Sequence, residues 1–374
     1  MPGPHADPGA PGARRSRAVV AVGVALALLA TAGCGAGDDQ APTVTVAPDS
    51  AAPKAAPPKP EPKPEPKPKP RPAPVVWPLT GGKTGTKKVP KRPAVAVKIE
   101  NAPEARPHQG LERADIVWEQ VVEGGISRFV AVYHSKQPTT VGPVRSVRPM
   151  DPAIVAPMHG ILAYSGGQPP FIEDVGEAGV QSVYMDRGDA GFRRSGDRLA
   201  PHNVYGNVRT FTAQANKSRT EPPKAQFAYA RKVGDGTAAQ GRKVKVADVR
   251  LSAFQQTVWS WQAKAKKYAR SDGGSSSFSS GERVRARNVL LMSVAVENTS
   301  FRDPSGAPVP KTVMVGKGKG ALLSGGRVIQ VFWSKSGKGK PVKLKTRQGD
   351  PVRLDPGNLW VELVPRGDGD WRLR

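Results

Sequence analysis

Asp115-Ile116-Val117-Trp118-Glu119-Gln120-Val121-Val122, then Glu123-Gly124-Gly125, then Ile126-Ser127-Arg128-Phe129-Val130-Ala131-Val132-Tyr133-His134 is the stretch that sets the architecture. Two runs rich in β-branched and aromatic residues flank a Gly-Gly turn, the pattern of a β-hairpin. Upstream, Pro93–Ile99 (Pro-Ala-Val-Ala-Val-Lys-Ile) reads as a further strand. Downstream, Gly160–Tyr164 reads as a short apolar strand that stops at Ser165-Gly166-Gly167. Phe171–Ala178 has helical character, and Asn207 is placed to cap a second helix over Val208–Ala215. Residues 76–222 are therefore expected to form a mixed α/β domain.

Past Pro223 the character changes. Lys243–Leu251, Thr257–Tyr268, Val289–Glu297, Lys311–Gly316, Arg327–Trp333 and Leu359–Val364 all read as strands. They are punctuated by Asp272-Gly273-Gly274, Ser324-Gly325-Gly326 and Asp355-Pro356-Gly357, and short strands spaced by such turns imply antiparallel pairing. Trp259 and Trp261 alternate with Val258, Ser260 and Gln262, so one strand face should bury the indoles. The expected fold class is α+β: a mixed α/β N-terminal domain, 76–222, followed by a mainly antiparallel β C-terminal domain, 223–374.

The N-terminal end carries an address. Arg14, Arg15 and Arg17 precede an apolar and small-residue run from Ala18 to Ala30, followed by Thr31-Ala32-Gly33-Cys34. That run is about thirteen residues, short of the ~20 needed to span a bilayer, and fits the core of an export signal. Ala-Gly-Cys after it is a lipobox pattern, with Thr31 where leucine is commoner. Residues 1–33 are thus expected to be a lipoprotein signal peptide, with Cys34 the lipidated residue. Cys34 is the single cysteine of the chain, so no disulfide framework competes for the thiol. The Arg14-Arg15 pair leaves Sec and twin-arginine export both open. Residues 34–75 are rich in Pro, Lys and Glu, and alternating proline permits neither helix nor sheet. About twenty such residues at ~3.1 Å each would hold the folded part roughly 60 Å from the membrane.

The 57 Lys and Arg exceed the 31 Asp and Glu, for a net charge of +26. Inside a cell this would point to nucleic acid. No zinc-finger, RNP-like or helix-turn-helix pattern accompanies it, and nucleic acid is not the expected partner. Outside the membrane the polyanions are lipid headgroups and wall polymers.

Several ordered motifs resemble the YerB-like family of bacterial lipoproteins. They are Arg92–Asn101 with Ala105-Arg106-Pro107-His108-Gln109-Gly110-Leu111, then Ala114–Glu119 leading into Val122–Phe129. Val141-Gly142-Pro143-Val144-Arg145-Ser146-Val147-Arg148-Pro149, Tyr164–Gly167 and Pro201-His202-Asn203-Val204-Tyr205 follow. Gly316–Gly320 and Leu354–Glu362 continue the resemblance into the second half. It covers nearly everything after the linker. It implies paired domains, lipoprotein character and an envelope location on the extracytoplasmic face of the membrane, and it supplies no reaction.

The sharpest chemical constellation is Gly142–Asp151. Glycine and proline fix a bend from which Arg145 and Arg148 can converge, offering planar donor forks to carboxylate or phosphate. Ser146 adds a hydroxyl, and Asp151 is placed to orient either arginine. The competing reading has these arginines paired internally with Asp115, Glu119 or Glu123. Ser165, Gly166 and Gly167 could present backbone N–H groups to an anion, and His202 and Asn203 could share the same cleft. Glu119 and Glu123, four apart, fall on one strand face by parity, and paired carboxylates can serve glycoside cleavage. Gly316–Gly320 lacks a P-loop frame and reads as a glycine-rich β-turn. No ligand set at metal spacing is present, and neither metal nor cofactor is expected.

Two readings follow. The first is a binding or scaffolding lipoprotein, anchored through Cys34, whose arginine-lined cleft recognises an anionic wall polymer, peptidoglycan fragment or envelope protein. The second is a wall glycan hydrolase or transferase using Glu119, Glu123 or Asp151 with His202. An enzyme needs ionisable groups free in an open pocket, whereas a binder needs converging donors.

Overall fold

The structure, a computed structural model, describes residues 74–374. The signal peptide, Cys34 and nearly all of the linker lie outside the described residues. Along the chain the principal strands are β1 (Val95–Glu100), β2 (Ile116–Val121), β3 (Ser127–Tyr133), β4 (Ile161–Tyr164), β5 (Gln181–Tyr184), β6 (Val246–Arg250), β7 (Gln256–Gln262) and β8 (Lys267–Asp272). They continue with β9 (Asn288–Val294), β10 (Val296–Arg302), β11 (Pro308–Thr312), β12 (Gly316–Ser324), β13 (Arg327–Lys335), β14 (Lys343–Lys345), β15 (Leu359–Pro365) and β16 (Asp370–Leu373). The helices are α1 (Asp151–Val155), α2 (Pro169–Glu177) and α3 (Val208–Ala213).

The hairpin forms as its residues dictate. β2 and β3 pair antiparallel with Val117 opposite Ala131, and the turn falls at Glu123–Gly125, where Gly124 and Gly125 take φ of 69° and 71°. Only glycine adopts such angles without strain. β1 adds to β3, and β4 and β5 extend the sheet in parallel.

One mixed sheet runs β14-β13-β12-β9-β15-β2-β3-β1-β4-β5. β15, from the end of the chain, lies between β9 and β2 and is parallel to both. The expected antiparallel pairing therefore fails at this strand, which a hairpin signal cannot reveal because its neighbours are distant in sequence. Residues from both sides of the expected boundary at 222 share this sheet. A second, antiparallel sheet carries β8-β7-β6-β16.

Strand parity divides the core in two. Val95, Val97, Ile99, Phe129 and Ala131 face the second sheet and its Trp259 and Tyr268. Ala96, Trp118, Val130 and Val132 face the other way, with Ile154 and Val155 of α1 and Phe171 and Val175 of α2. β1 to β3 are covered on both faces, so any charge they carry must find a partner inside.

Local signals for the helices hold. α2 starts two residues before the expected Phe171, and Asn207 caps α3 by accepting from Thr210 N at 3.1 Å. Trp259 is fully buried and Trp261 packs beside it on the same core, as the alternation implied.

Three strand readings are corrected, the first being Val289–Glu297, which runs past the end of β9 into the start of β10. Thr257–Tyr268 is not one strand but the junction of β7 and β8, which turn at Ala263–Lys266 with Lys266 at φ 49°. No glycine or proline marks that turn. Lys311–Gly316 spans the end of β11 and the start of β12. Gly316–Gly320, read as a turn, is the first half of β12. A Cβ at Gly318 would lie 2.6 Å from Trp333 Nε1, and one at Gly320 would lie 2.4 Å from Leu291 O. The glycines serve close strand packing rather than a bend.

Candidate functional site

The Gly142–Asp151 segment is pinned along the end of β1. Glu100 N donates to Pro143 O at 2.9 Å, and Arg145 N donates to Lys98 O at 2.9 Å. On its other side Ser165 N donates to Arg145 O and Val147 N to Gly166 O, each at 3.0 Å. The segment thus bridges β1 and the loop after β4, and feeds into α1.

A row of charges lies beneath it on one face of the sheet. Lys98 and Glu100 come from β1, Gln120 from β2 and Arg128 from β3, where Arg128 stands opposite both Glu100 and Gln120. Lys98 Nζ meets Asp151 Oδ1 at 2.8 Å, and the same oxygen accepts from Gln120 Nε2. Asp151 Oδ2 accepts from Arg148 N at 2.8 Å. Burial, only partly offset by Asp151, lowers the Lys98 ammonium to about 8.

Arg148 pairs closely with Glu123 through Nε and donates Nη1 to Val147 O at 2.9 Å. Arg145 Nε lies 3.1 Å from Glu100 Oε1, although its N–H is not directed at an acceptor. Arg145 Nη1 reaches Pro201 O at 3.3 Å. His202 Nδ1 lies 2.9 Å from Glu100 Oε2. Arg128 is the exception. Its Nη2 is 4.0 Å from Glu123 Oε2, its Nη1 is 3.5 Å from Ser146 O, and its Nε has no acceptor among the described residues. Burial, with Arg148 and Arg145 beside it, lowers this guanidinium to about 9.

The structure therefore gathers Arg145, Ser146, Arg148, Glu123, Asp151 and His202 around one buried row. Arg145, Ser146 and His202 stay half-buried at its rim, with the Arg145 and His202 side chains 20% and 24% exposed. Ser165, Gly166 and Gly167 border the same segment. Gly166 is wedged beside Asp186, where a Cβ would fall 1.8 Å from Oδ2, and Gly167 lies against Val147. These glycines are needed for close approach. Asn203 turns away, accepting from Arg194 Nη1 at 2.8 Å to hold its own hairpin.

Glu119 departs from the expected grouping. β2 ends at Val121 and Glu123 sits in the following 3-10 turn, so strand parity does not carry from one glutamate to the other. Glu119 points to the opposite face, into a second buried network. There it meets Arg270 Nη2 at 2.8 and 3.0 Å, Ser127 Oγ at 2.7 Å and Trp360 Nε1 at 3.1 Å. Arg270 also pairs with Asp272 at 2.6 Å, and Asp272 with Arg106 at 3.2 Å. Glu362 stands beside Glu119 in register and accepts from Trp259 Nε1 at 2.8 Å. Burial, with Glu119 adjacent, raises its carboxyl well above the usual range. Asp115, the other proposed partner of the arginines, instead caps the backbone N–H groups of His134 and Ser135 at 2.7 and 2.8 Å.

Lys98, Glu100, Arg270, Asp272 and Glu362 escaped the sequence reading. The available signal was a charge inside a strand with apolar neighbours on both faces, most visibly Lys98 in Val95–Ile99.

Comparison with known proteins matches residues 79–221 to the N-terminal domain of a protein family of unknown function, DUF3048, and residues 247–361 to its C-terminal domain. The chain is 30% identical over 293 residues to "Putative lipoprotein YerB" of Bacillus subtilis (strain 168), covering 75% of this chain and 83% of the relative. A crystal structure of YerB protein from Bacillus subtilis superposes with a TM-score of 0.68 at 25% identity, covering 80% of this chain and 99% of that one.

Proposed function

This chain belongs to the DUF3048 family and is a relative of putative lipoprotein YerB, and from that premise we propose that it is an envelope lipoprotein that binds an anionic ligand and does not cleave it. The observation that carries this reading is the fate of the carboxylates. Glu119 is held by Arg270, Glu123 by Arg148 and Asp151 by Lys98, while His202 is engaged by Glu100. Glycoside cleavage needs one carboxyl free as acid and another as base or nucleophile across an open gap. Glu119 and Glu123 lie on opposite faces of the sheet, and Asp151 is fully buried.

The donors fit binding better. Arg145 keeps part of its fork at the surface beside Ser146 and His202, and the net charge of +26 draws polyanions toward the folded part. The ligand classes this reading admits are an anionic wall polymer, a peptidoglycan fragment or a carboxylate of an envelope protein. The chain would work from the outer face of the membrane, held by lipid on Cys34. Two or more acyl chains give a stable anchor where one does not.

Cosedimentation of the detergent-solubilised full chain with purified cell wall tests the binding reading. Arg145→Ala should lower retention at least tenfold and Arg145→Lys nearly as much, because lysine keeps the charge and loses the fork. Retention of both variants at the wild-type level would place the ligand elsewhere. The anchor has its own test in cell fractionation. Cys34→Ala should appear in the medium or as an unprocessed precursor, and membrane-bound protein of mature size would exclude the lipid.

A further inference from the structure

Charge in the buried row does not balance. Its cations are Lys98, Arg128, Arg145 and Arg148, and its carboxylates are Glu100, Glu123 and Asp151. Each carboxylate has its own cation: Asp151 has Lys98 at 2.8 Å, Glu100 has Arg145 at 3.1 Å, and Glu123 has Arg148. Arg128 is left over. It is 5% exposed, and among the described residues its nearest carboxylate oxygen is 4.0 Å away and its Nε–H has no acceptor. Arginine does not escape such a position by giving up its proton as lysine can. Arg128 only shares Glu123 with Arg148, through an oxygen 4.0 Å away, and a buried cation so weakly compensated is destabilising in a way that a bound anion relieves.

We infer that Arg128 is the buried anchor of a phosphodiester site that Arg148 flanks from within and that opens at Arg145 and Ser146; this rests on the binding reading above. The residual charge of the row is one, which matches the single fixed negative charge of a phosphodiester. The donors also come from different directions. Arg128 rises from β3 within the sheet, while Arg145 and Arg148 descend from the segment that crosses above it. A carboxylate receives its donors mainly in its own plane, whereas the two non-bridging oxygens of a tetrahedral phosphodiester accept from forks above and beside them. The arginines that now hold Glu100 and Glu123 keep N–H groups to share, since each guanidinium carries five. Burial, and then Arg148 and Arg145 beside it, disfavour the charged form of Arg128, and an anion among the three would favour it.

Titration of the full chain, reconstituted by its lipid into phosphatidylcholine nanodiscs without detergent, with three probes tests the site. They are a soluble poly(glycerol phosphate), vesicles of phosphatidylglycerol in phosphatidylcholine, and polyglutamate of matched charge. The wild type should bind a phosphodiester probe at least tenfold more tightly than polyglutamate. Preference for the polymer or for the vesicles identifies the source as wall polymer or lipid headgroup. Arg128→Met should lose that preference at least tenfold while melting no earlier than the wild type, because it removes an uncompensated charge. Non-specific attraction would barely change when one of 57 basic residues is lost. Polyglutamate binding as tight as the phosphodiester probes would overturn the phosphodiester assignment and leave the anion-binding reading standing. Failure of all three probes would overturn both. Undiminished phosphodiester binding by a folded Arg128→Met would remove Arg128 from the site.

Discussion

Arg270→Ala should destabilise the chain by at least about 3–5 kcal/mol, the usual cost of stranding one partner of a buried ion pair. Arg270 is 1% exposed and holds two carboxylates at once, Glu119 at 2.8 Å and Asp272 at 2.6 Å. Its guanidinium also lies over the rings of Phe129 at 5.2 Å and Trp360 at 5.1 Å. Removing it leaves Glu119 unpaired between the two sheets, because Glu362, the neighbour on β15, is another acid. Asp272 keeps Arg106 at 3.2 Å, so the larger share of the loss falls on Glu119. Denaturant unfolding followed by tryptophan fluorescence reads the effect directly, with Trp259 and Trp360 beside the network. A loss below about 1 kcal/mol, the size of an exposed pair, would show that the network does not hold the sheets together.

The second large effect depends on pH. The Glu362 carboxyl is fully buried beside Glu119, and both features raise it well above its unfolded value of 4.5. The folded state therefore keeps a proton that the unfolded state releases. This contribution is fully present below 4.5 and is lost as pH rises through the folded value. Stability should fall by up to about 1.4 kcal/mol per pH unit across that window. Glu362→Gln retains the oxygen that accepts from Trp259 Nε1 at 2.8 Å and has no proton to lose. The variant should match the wild type near pH 4.5 and exceed it increasingly as pH rises above that value. Parallel stability curves for the two proteins would show that Glu362 is ionised in the fold.

The hairpin was legible because its signal is local. Two β-rich runs and Gly124-Gly125 specify strand, turn and strand without reference to the rest of the chain. Asn207 as a helix cap was legible for the same reason. β15 was legible as a strand but not in its place between β2 and β9, because its partners Ile116 and Leu290 are set by three-dimensional packing. The β7–β8 turn was hidden because lysines occupy it and no glycine marks it.

The candidate site divides along the same line. The arginine segment stood out by its glycine, proline and paired arginines, and the structure does gather Arg145, Arg148, Asp151 and His202. Of their partners only Glu123 was foreseen, and it does hold Arg148. Glu119 finds Arg270 151 residues away, across the interface of two sheets. The parity that joined Glu119 to Glu123 broke because the strand ended between them. Of the two arginines first singled out, Arg148 is buried against Glu123 and Arg145 keeps an exposed edge.

Binding without cleavage is the central claim, and one measurement addresses it most directly. Purified, labelled cell wall is incubated with the full chain in detergent, and label released into solution is followed over hours alongside label retained with protein. The expected result is saturable retention of protein on the wall with release no greater than in its absence. Release that grows with time and with protein concentration would contradict the account, and would show that carboxylates locked against Arg270, Arg148 and Lys98 come free in the presence of substrate.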